Sequence, residues 1–245
     1  LETIEAGRTA GSGAALADLR KTTYSYNSAG QVQSLTIQDL QNPSAPAQTI
    51  NLTWYGDNPA DAAALHGLLK STSTSATGST TLTYDSQGHI ASSTNALGQI
   101  TSYSHDRAGH ITAIIAPDGT KTTYSYDDRG WLTTRQHYAA GGASLATDTF
   151  TYSPNGLLQT ATLADGLTHS YQYDDARRLT SSRANDGSSV QYQYDNASNR
   201  TDEVWYQNGQ YNWQRAYAYN SANNRLQASF TGYGAINQFY SYDAN

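Results

Sequence analysis

Six aspartates recur along the chain: Asp85, Asp106, Asp127, Asp174, Asp195 and Asp243. Stacked carboxylates attract hard cations such as calcium, yet calcium loops concentrate several acids per loop and most of these turns hold one or two. The expected role is therefore local: an Asp opening a type I turn bonds the backbone ahead of it. His89 and His110 occupy equivalent places 21 residues apart, with His105 close in sequence to His110. Neutral imidazoles bind zinc or copper, but no Cys and no evident further ligand accompany them, so surface histidines are expected and no metal or cofactor is assigned. Ser and Thr abound without a Gly-x-Ser-x-Gly elbow. Paired glycosidase carboxylates meet in space rather than in sequence, but nearly every Asp here has a turn to explain it. No catalytic residue is assigned, and the chain reads as non-enzymatic. Trp205, Tyr206, Tyr211 and Trp213, beside Asn208 and Asn212, are of the type that stacks on sugar rings. Packing on a sheet is the competing role, since cross-strand aromatic pairs stabilise hairpins by themselves.

The elements that must carry these residues are short strands and tight turns. In residues 118–133, Thr122, Tyr124 and Tyr126 alternate with Thr123 and Ser125, which puts the aromatics on one strand face. Asp127 and Gly130 then suit the first and fourth positions of a type I turn, and Trp131, Leu132 and Thr133 begin the return strand. Asp118-Gly119 reads as a two-residue hairpin turn, with positive φ at both positions. The unit is strand, turn, strand, turn.

That unit repeats. Tyr84, His105 and Tyr126 are spaced by 21 residues, as are Tyr152, Tyr173 and Tyr194; Tyr26, Tyr219 and Tyr242 extend the series. A Gly stands five residues before the first Tyr in four units: Gly98 before Tyr103, Gly119 before Tyr124, Gly166 before Tyr171 and Gly187 before Tyr192. A fixed period of this size marks a repeat architecture whose units bury their faces only against neighbours. The units at residues 124–132 and 171–179 closely resemble the YD repeat of the Rhs family, which includes bacterial Rhs toxins, wall-associated proteins, the B and C components of insecticidal toxin complexes, and animal teneurins. The resemblance runs from Lys21 to Asn245. On it, the structural repeat positions are Tyr103, Asp106, Gly109, Tyr124, Tyr126, Asp127, Gly130, Tyr171, Tyr173, Asp174, Tyr192, Tyr194 and Asp195. Departures are His105 for Tyr, Arg177 and Ser198 for the turn Gly, and Asn27 and Asn220 for Asp. Many Rhs proteins cut themselves at a motif containing Asp-Pro; this chain has no Asp-Pro, so that activity is not carried over.

Leu, Ile, Val and Phe number 34 of 245 residues, below the level of an ordinary globular core. Disorder would want high net charge and few aromatics, whereas the net charge is -6 and there are 20 Tyr and 4 Trp. Tyrosine is the expected substitute core, burying a ring while its hydroxyl stays bonded. The absence of Cys excludes disulfides and thiol catalysis. Mild acidity without basic clusters gives no footprint for nucleic acid, and no apolar run reaches membrane-spanning length.

The expected organisation is a non-repeat lead-in over 1–20, with a helical turn near Ala14–Leu19, and repeat sheet over 21–245. One short helix is expected near 59–70, with Asn58 as N-cap, Pro59 at the first position and Leu65, Leu68 and Leu69 as its stripe. A Ser/Thr-rich link follows over 71–80. An extended tip is expected near Gly141-Gly142. Asn208-Gly209 predicts a two-residue hairpin turn in which Tyr206 opposes Tyr211, Val204 opposes Trp213, and Trp205 shares the other face with Asn212. About eighteen strands spaced ~4.8 Å apart would exceed what an open sheet sustains without curling. The fold class is all-β, an antiparallel β-hairpin repeat sheet. The resemblance implies that it curls into an open spiral shell, that the segment belongs to a longer chain, and that the whole encloses a C-terminal toxin or other cargo for export. A secreted or cell-surface location follows, with a glycan-binding or adhesion module as the alternative. Open strand edges would invite edge-to-edge self-association.

Overall fold

The computed structural model describes residues 20–74 and 76–219 with side chains, and residues 2–7, 17–19, 226–231 and 238–239 as strand backbone. The chain divides into two compact units, Leu1–Thr122 with Ala140–Gly142, and Thr123–Ala139 with Ala143–Asn245. The first holds β1 (Glu2–Gly7), β2 (Ala17–Tyr26), β3 (Val32–Asp39), β4 (Gln48–Trp54), β5 (Leu69–Thr74), β6 (Gly78–Tyr84), β7 (Ile90–Thr94), β8 (Ile100–His105) and β9 (Ile111–Ile115). Each of these pairs antiparallel with the next. The boundary falls within β10 (Lys121–Tyr126). The second unit continues with β11 (Leu132–Tyr138), β12 (Ser144–Tyr152), β13 (Leu158–Thr162), β14 (Thr168–Tyr173), β15 (Leu179–Ala184), β16 (Ser188–Tyr194), β17 (Arg200–Gln207), β18 (Gln210–Tyr219), β19 (Leu226–Thr231) and β20 (Gln238–Phe239). From β11 onward these also pair in chain order, all antiparallel.

Hardly any conventional core exists in either unit. Among the described residues only Ala161, Ala184 and Val190 are buried apolar positions, and no large side chain is fully buried. The strands instead carry half-buried tyrosines on one face, while Ser104, Ser125, Gln172, Gln193 and Ala218 on the other are exposed as expected. Hydroxyls pair across strands on that wet face: Ser25–Ser34, Thr53–Ser71, Thr83–Ser92 and Thr151–Thr160, each at 2.7 Å. Such pairs fix register without an oily surface.

Two features of the hairpins were not legible. In eight hairpins the partner strand carries a β-bulge opposite the second aromatic, with register shifts at Tyr26, Trp54, Tyr84, His105, Tyr152, Tyr173, Tyr194 and Tyr219. A bulge sharpens local twist. Asp118-Gly119 is not a two-residue turn: the Gly119 N–H donates to Ala116 and the Ala116 N–H to Thr120, and of this pair only Gly119 has positive φ. It is the same type I turn with a left-handed fourth residue that serves the Asp127 hairpin, because Asp118 tolerates the ordinary right-handed position and only the last residue must turn left. Asn208-Gly209, at φ 50° and 77°, is the true two-residue turn.

The helix expected near 59–70 shrinks to one 3-10 turn, Ala63–Leu65, with no side-chain cap. Asn58 bonds the Ala60 N–H and Asp61 bonds the Gly56 N–H, so the intended capping groups are spent in turns. Leu69 pairs with Trp54 in β5, and strand pairing takes over residues too few to sustain a helix. The Ser/Thr-rich link is likewise strand over most of its length, in β5 and β6. No extended tip forms near Gly141-Gly142: β11 and β12 are longer strands, and the Ala139 N–H donates to Ala143 across an ordinary tight turn. Residues 17–19, expected in a helical turn, lie in β2; residues 14–16 and Asn220 fall outside the described residues.

Two substitutions test the turn requirement. Ser198 occupies the glycine position at φ 67°, and Gly166 sits at φ 84° with open space around its absent Cβ. Ser198→Gly should stabilise the chain by about 0.5–1 kcal/mol and Gly166→Ala should destabilise it by about 1 kcal/mol. Urea unfolding of the two variants checks both signs.

Candidate functional site

The recurring constellation is a turn plus the tyrosine before it. The Oδ1 atom of Asp85 accepts from the N–H groups of Gln87 and His89 at 2.8 and 2.9 Å. Asp106 holds Ala108 and His110 in the same way, Asp127 holds Arg129 and Trp131, and Asp195 holds Ala197 and Asn199. Asp174 receives the Arg178 N–H at 2.9 Å. Asn27 substitutes without loss, accepting from Ala29 and Gln31. The carboxylates are thus occupied one per turn, as the turn reading expects; Asp243 lies outside the described residues.

The phenol of the second aromatic reaches the backbone of the preceding hairpin. Tyr84 Oη donates to the Leu69 carbonyl at 2.7 Å, Tyr173 to Leu158 at 3.0 Å, and Tyr194 to Leu179 at 2.7 Å. Tyr152 and Tyr219 make the equivalent bonds to Leu132 and Arg200, and Trp54 does so through its indole N–H to Val32. Burial pushes the Tyr84, Tyr152, Tyr173 and Tyr219 phenols above their ordinary values, so these groups remain donors at neutral pH. Tyr126 is half-buried on the same face, as are Tyr103, Tyr124, Tyr171 and Tyr192 one step earlier.

Sequence reasoning missed what the residue after the turn does. Arg178 donates to Asp174 Oδ2 at 2.7 Å and reaches the next turn at Asp195 O, 3.0 Å away. Trp131 lies so close to Gly156 that a Cβ there would stand 2.9 Å from its ring; His89 stands in the same relation to Gly109 at 3.0 Å. Turn glycines therefore serve close turn-to-turn approach as well as positive φ. A bulky or hydrogen-bonding residue recurring directly after each turn (Gln31, His89, His110, Trp131, Arg178, Asn199) was the signal.

The aromatic hairpin at 200–217 departs from its expected register. Tyr206 opposes Tyr211, but a bulge then places Trp205 opposite Trp213 and Val204 opposite Gln214. Asn212 is the extra residue, so Trp205 and Trp213 share a face and stack at 5.0 Å with planes 17° apart. Trp205 Nε1 donates to Glu203 at 2.9 Å, and the Arg215 guanidinium lies 5.4 Å from the Trp213 ring centre. Tyr206 and Tyr211 meet edge to face at 6.5 Å, with Tyr211 half exposed. Beside them Glu203 is buried against Tyr217 Oη at 2.9 Å and Arg200 at 3.4 Å. A second buried acid, Asp148, is pushed up by burial, but the Arg135 guanidinium and the Ala164 N–H outweigh this and hold it below its ordinary value. Both acids are neutralised by structural partners.

The turn carboxylates set an acid limit. Bonds from the Asn199 side chain and backbone hold Asp195 below its ordinary value, and the Arg178 N–H, with the Arg178 side chain, does so for Asp174. Depressed folded-state values mean stability that is complete above the unfolded value, near pH 4, and lost as pH falls through the folded ones. Thermal unfolding should therefore be flat from neutral pH to about pH 5 and fall below about pH 4. Asp195→Asn, which keeps the turn acceptor, should flatten part of that slope. Tyr173→Phe should cost about 1 kcal/mol at every pH.

Against known proteins, the RHS Repeat family model matches residues 84–121, 105–143 and 152–188. No curated protein matches the sequence. Among solved structures, the chain is similar to that of the crystal structure of TcdB2-TccC3 without its hypervariable C-terminal region, with a TM-score of 0.68 and 17% identity over 87% of this chain and 12% of that one. It is similar also to the Photorhabdus luminescens Tc holotoxin pore, with a TM-score of 0.57 and 15% identity over 91% of this chain and 15% of that one. The chain thus spans a small fraction of these relatives, and the likeness is one of fold. Among the described residues no helix is long and apolar enough to cross a membrane. The turn and tyrosine chemistry and the antiparallel hairpins agree with the family match: residues 84–143 and 152–188 of this chain match the RHS Repeat model.

Proposed function

We propose that the chain is a non-enzymatic wall segment of an Rhs-type shell that encloses a toxin or other cargo during export to the cell surface or beyond. The observation that carries this reading is the way the side-chain chemistry is spent. Turn carboxylates cap backbone, phenols bond the neighbouring hairpin, and the buried acids are paired. Among the described residues, that arrangement leaves no activated nucleophile or acid–base pair over for catalysis. Such a wall works by exclusion, as a hydrogen-bonded sheet through which neither protease nor substrate passes. Its partner is the rest of its own polypeptide, including a C-terminal cargo, and its unpaired edges are where copies would associate. Similarity to TcdB2-TccC3 raises the standing of this reading at the level of fold.

The alternative is a glycan-binding or adhesion module using Trp205, Tyr206, Tyr211 and Trp213. Contacts of Trp205 and Trp213 with each other, Glu203 and Arg215 occupy much of the ring surface a sugar would need. Two measurements separate the readings. In the intact polypeptide that carries these repeats, the cargo should survive protease levels that digest the free cargo; equal digestion contradicts encapsulation. On a glycan array the 245-residue chain should show no signal, whereas binding lost on Trp205→Ala and Trp213→Ala would establish adhesion instead.

A further inference from the structure

One repeat breaks the phenol rule. At the position where Tyr84, Tyr173 and Tyr194 donate to the neighbouring hairpin, the chain has His105, and among the described residues its imidazole makes no hydrogen bond. It lies instead against His89, with ring centres 4.9 Å apart and planes tilted 32°. His89 is not loose: its Nδ1 is 3.3 Å from Asp85 Oδ2, its N–H is held by Asp85 Oδ1, and Gly109 leaves room for its Nε2. One ligand atom each of Asp85, His89 and His105 lies within 4.8 Å of the other two. All three side chains are partly exposed, so the cluster is open to solvent ions. His110, the sequence counterpart of His89, makes the same contact, its Nδ1 2.9 Å from Asp106 Oδ2, but among the described residues it belongs to no cluster of three such ligands.

We propose that Asp85, His89 and His105 form a three-ligand site for a divalent transition-metal ion of the zinc, copper or nickel kind. Two neutral imidazoles and one carboxylate suit these ions and are poor ligands for calcium or magnesium, which take oxygen. Closing the ligand atoms to the ~2.0–2.2 Å bonds of zinc asks for inward side-chain movements of about 1 Å, within rotamer freedom at a surface. Asp85 Oδ2 and His89 Nδ1 already face one another at 3.3 Å, the separation of two ligand atoms on one ion, so an ion held by both takes the place of the hydrogen between them. Three protein ligands leave a coordination position for water or for a donor from another molecule.

The test is calorimetric titration of the untagged chain with zinc chloride, with calcium chloride as control. The expected result is one zinc per chain and no calcium. His105→Tyr installs the residue of the other repeats, and Asp85→Asn keeps the turn as Asn27 does, so both variants retain the fold. Each should weaken zinc binding at least about tenfold, while His110→Gln should leave it unchanged. Absence of saturable zinc binding, an affinity untouched by His105→Tyr, or an equal loss in His110→Gln would overturn the proposal.

Discussion

The structure depends on one interaction more than any other: a side-chain oxygen that opens a turn and accepts two backbone N–H groups of that turn. A hairpin in water is marginal by itself, and a sheet without a large apolar face has little to hold its strands in register. Here the register is set from the turn end. Once Asp127 or Asp195 has locked its turn, the fourth residue must take positive φ, and the chain returns at a fixed offset. The bulge opposite the aromatic and the reach of the tyrosine to the preceding hairpin follow from that offset.

This explains how a chain with so few aliphatic residues stays ordered. Burial is spread thinly over many half-covered tyrosines rather than concentrated in a core, and the phenols of Tyr84, Tyr152, Tyr173, Tyr194 and Tyr219 make hydrogen bonds to backbone that would otherwise go to water. Cross-strand hydroxyl pairs do the same work on the wet face. Both faces are therefore polar enough to meet solvent.

Much of this was legible because it is local. The Asp-x-x-Gly spacing, the alternating tyrosines and the 21-residue period each report geometry within a few residues, so the antiparallel hairpins could be read directly. What failed was set by partners further away. The bulge at Asn212 moved Trp205 onto Trp213, and no pattern within that strand announces an extra residue. The helix expected near 59–70 has acceptable caps and formers, but Trp54 claims Leu69 as its strand partner. His89 and His110 share a period, yet the contact is His89 with His105, because turn-to-turn stacking brings a residue of one turn against the strand end and glycine of the next.

The most direct test of the turn account is residue-resolved hydrogen exchange on the native chain. If the turns hold the sheet, the amides of His89, His110 and Asn199 should be protected as strongly as mid-strand amides, and Asp195→Ala should release Ala197, Asn199 and the adjoining strand together. Free exchange at those turn amides, with protection confined to the neighbourhood of Ala161, Ala184 and Val190, would contradict it.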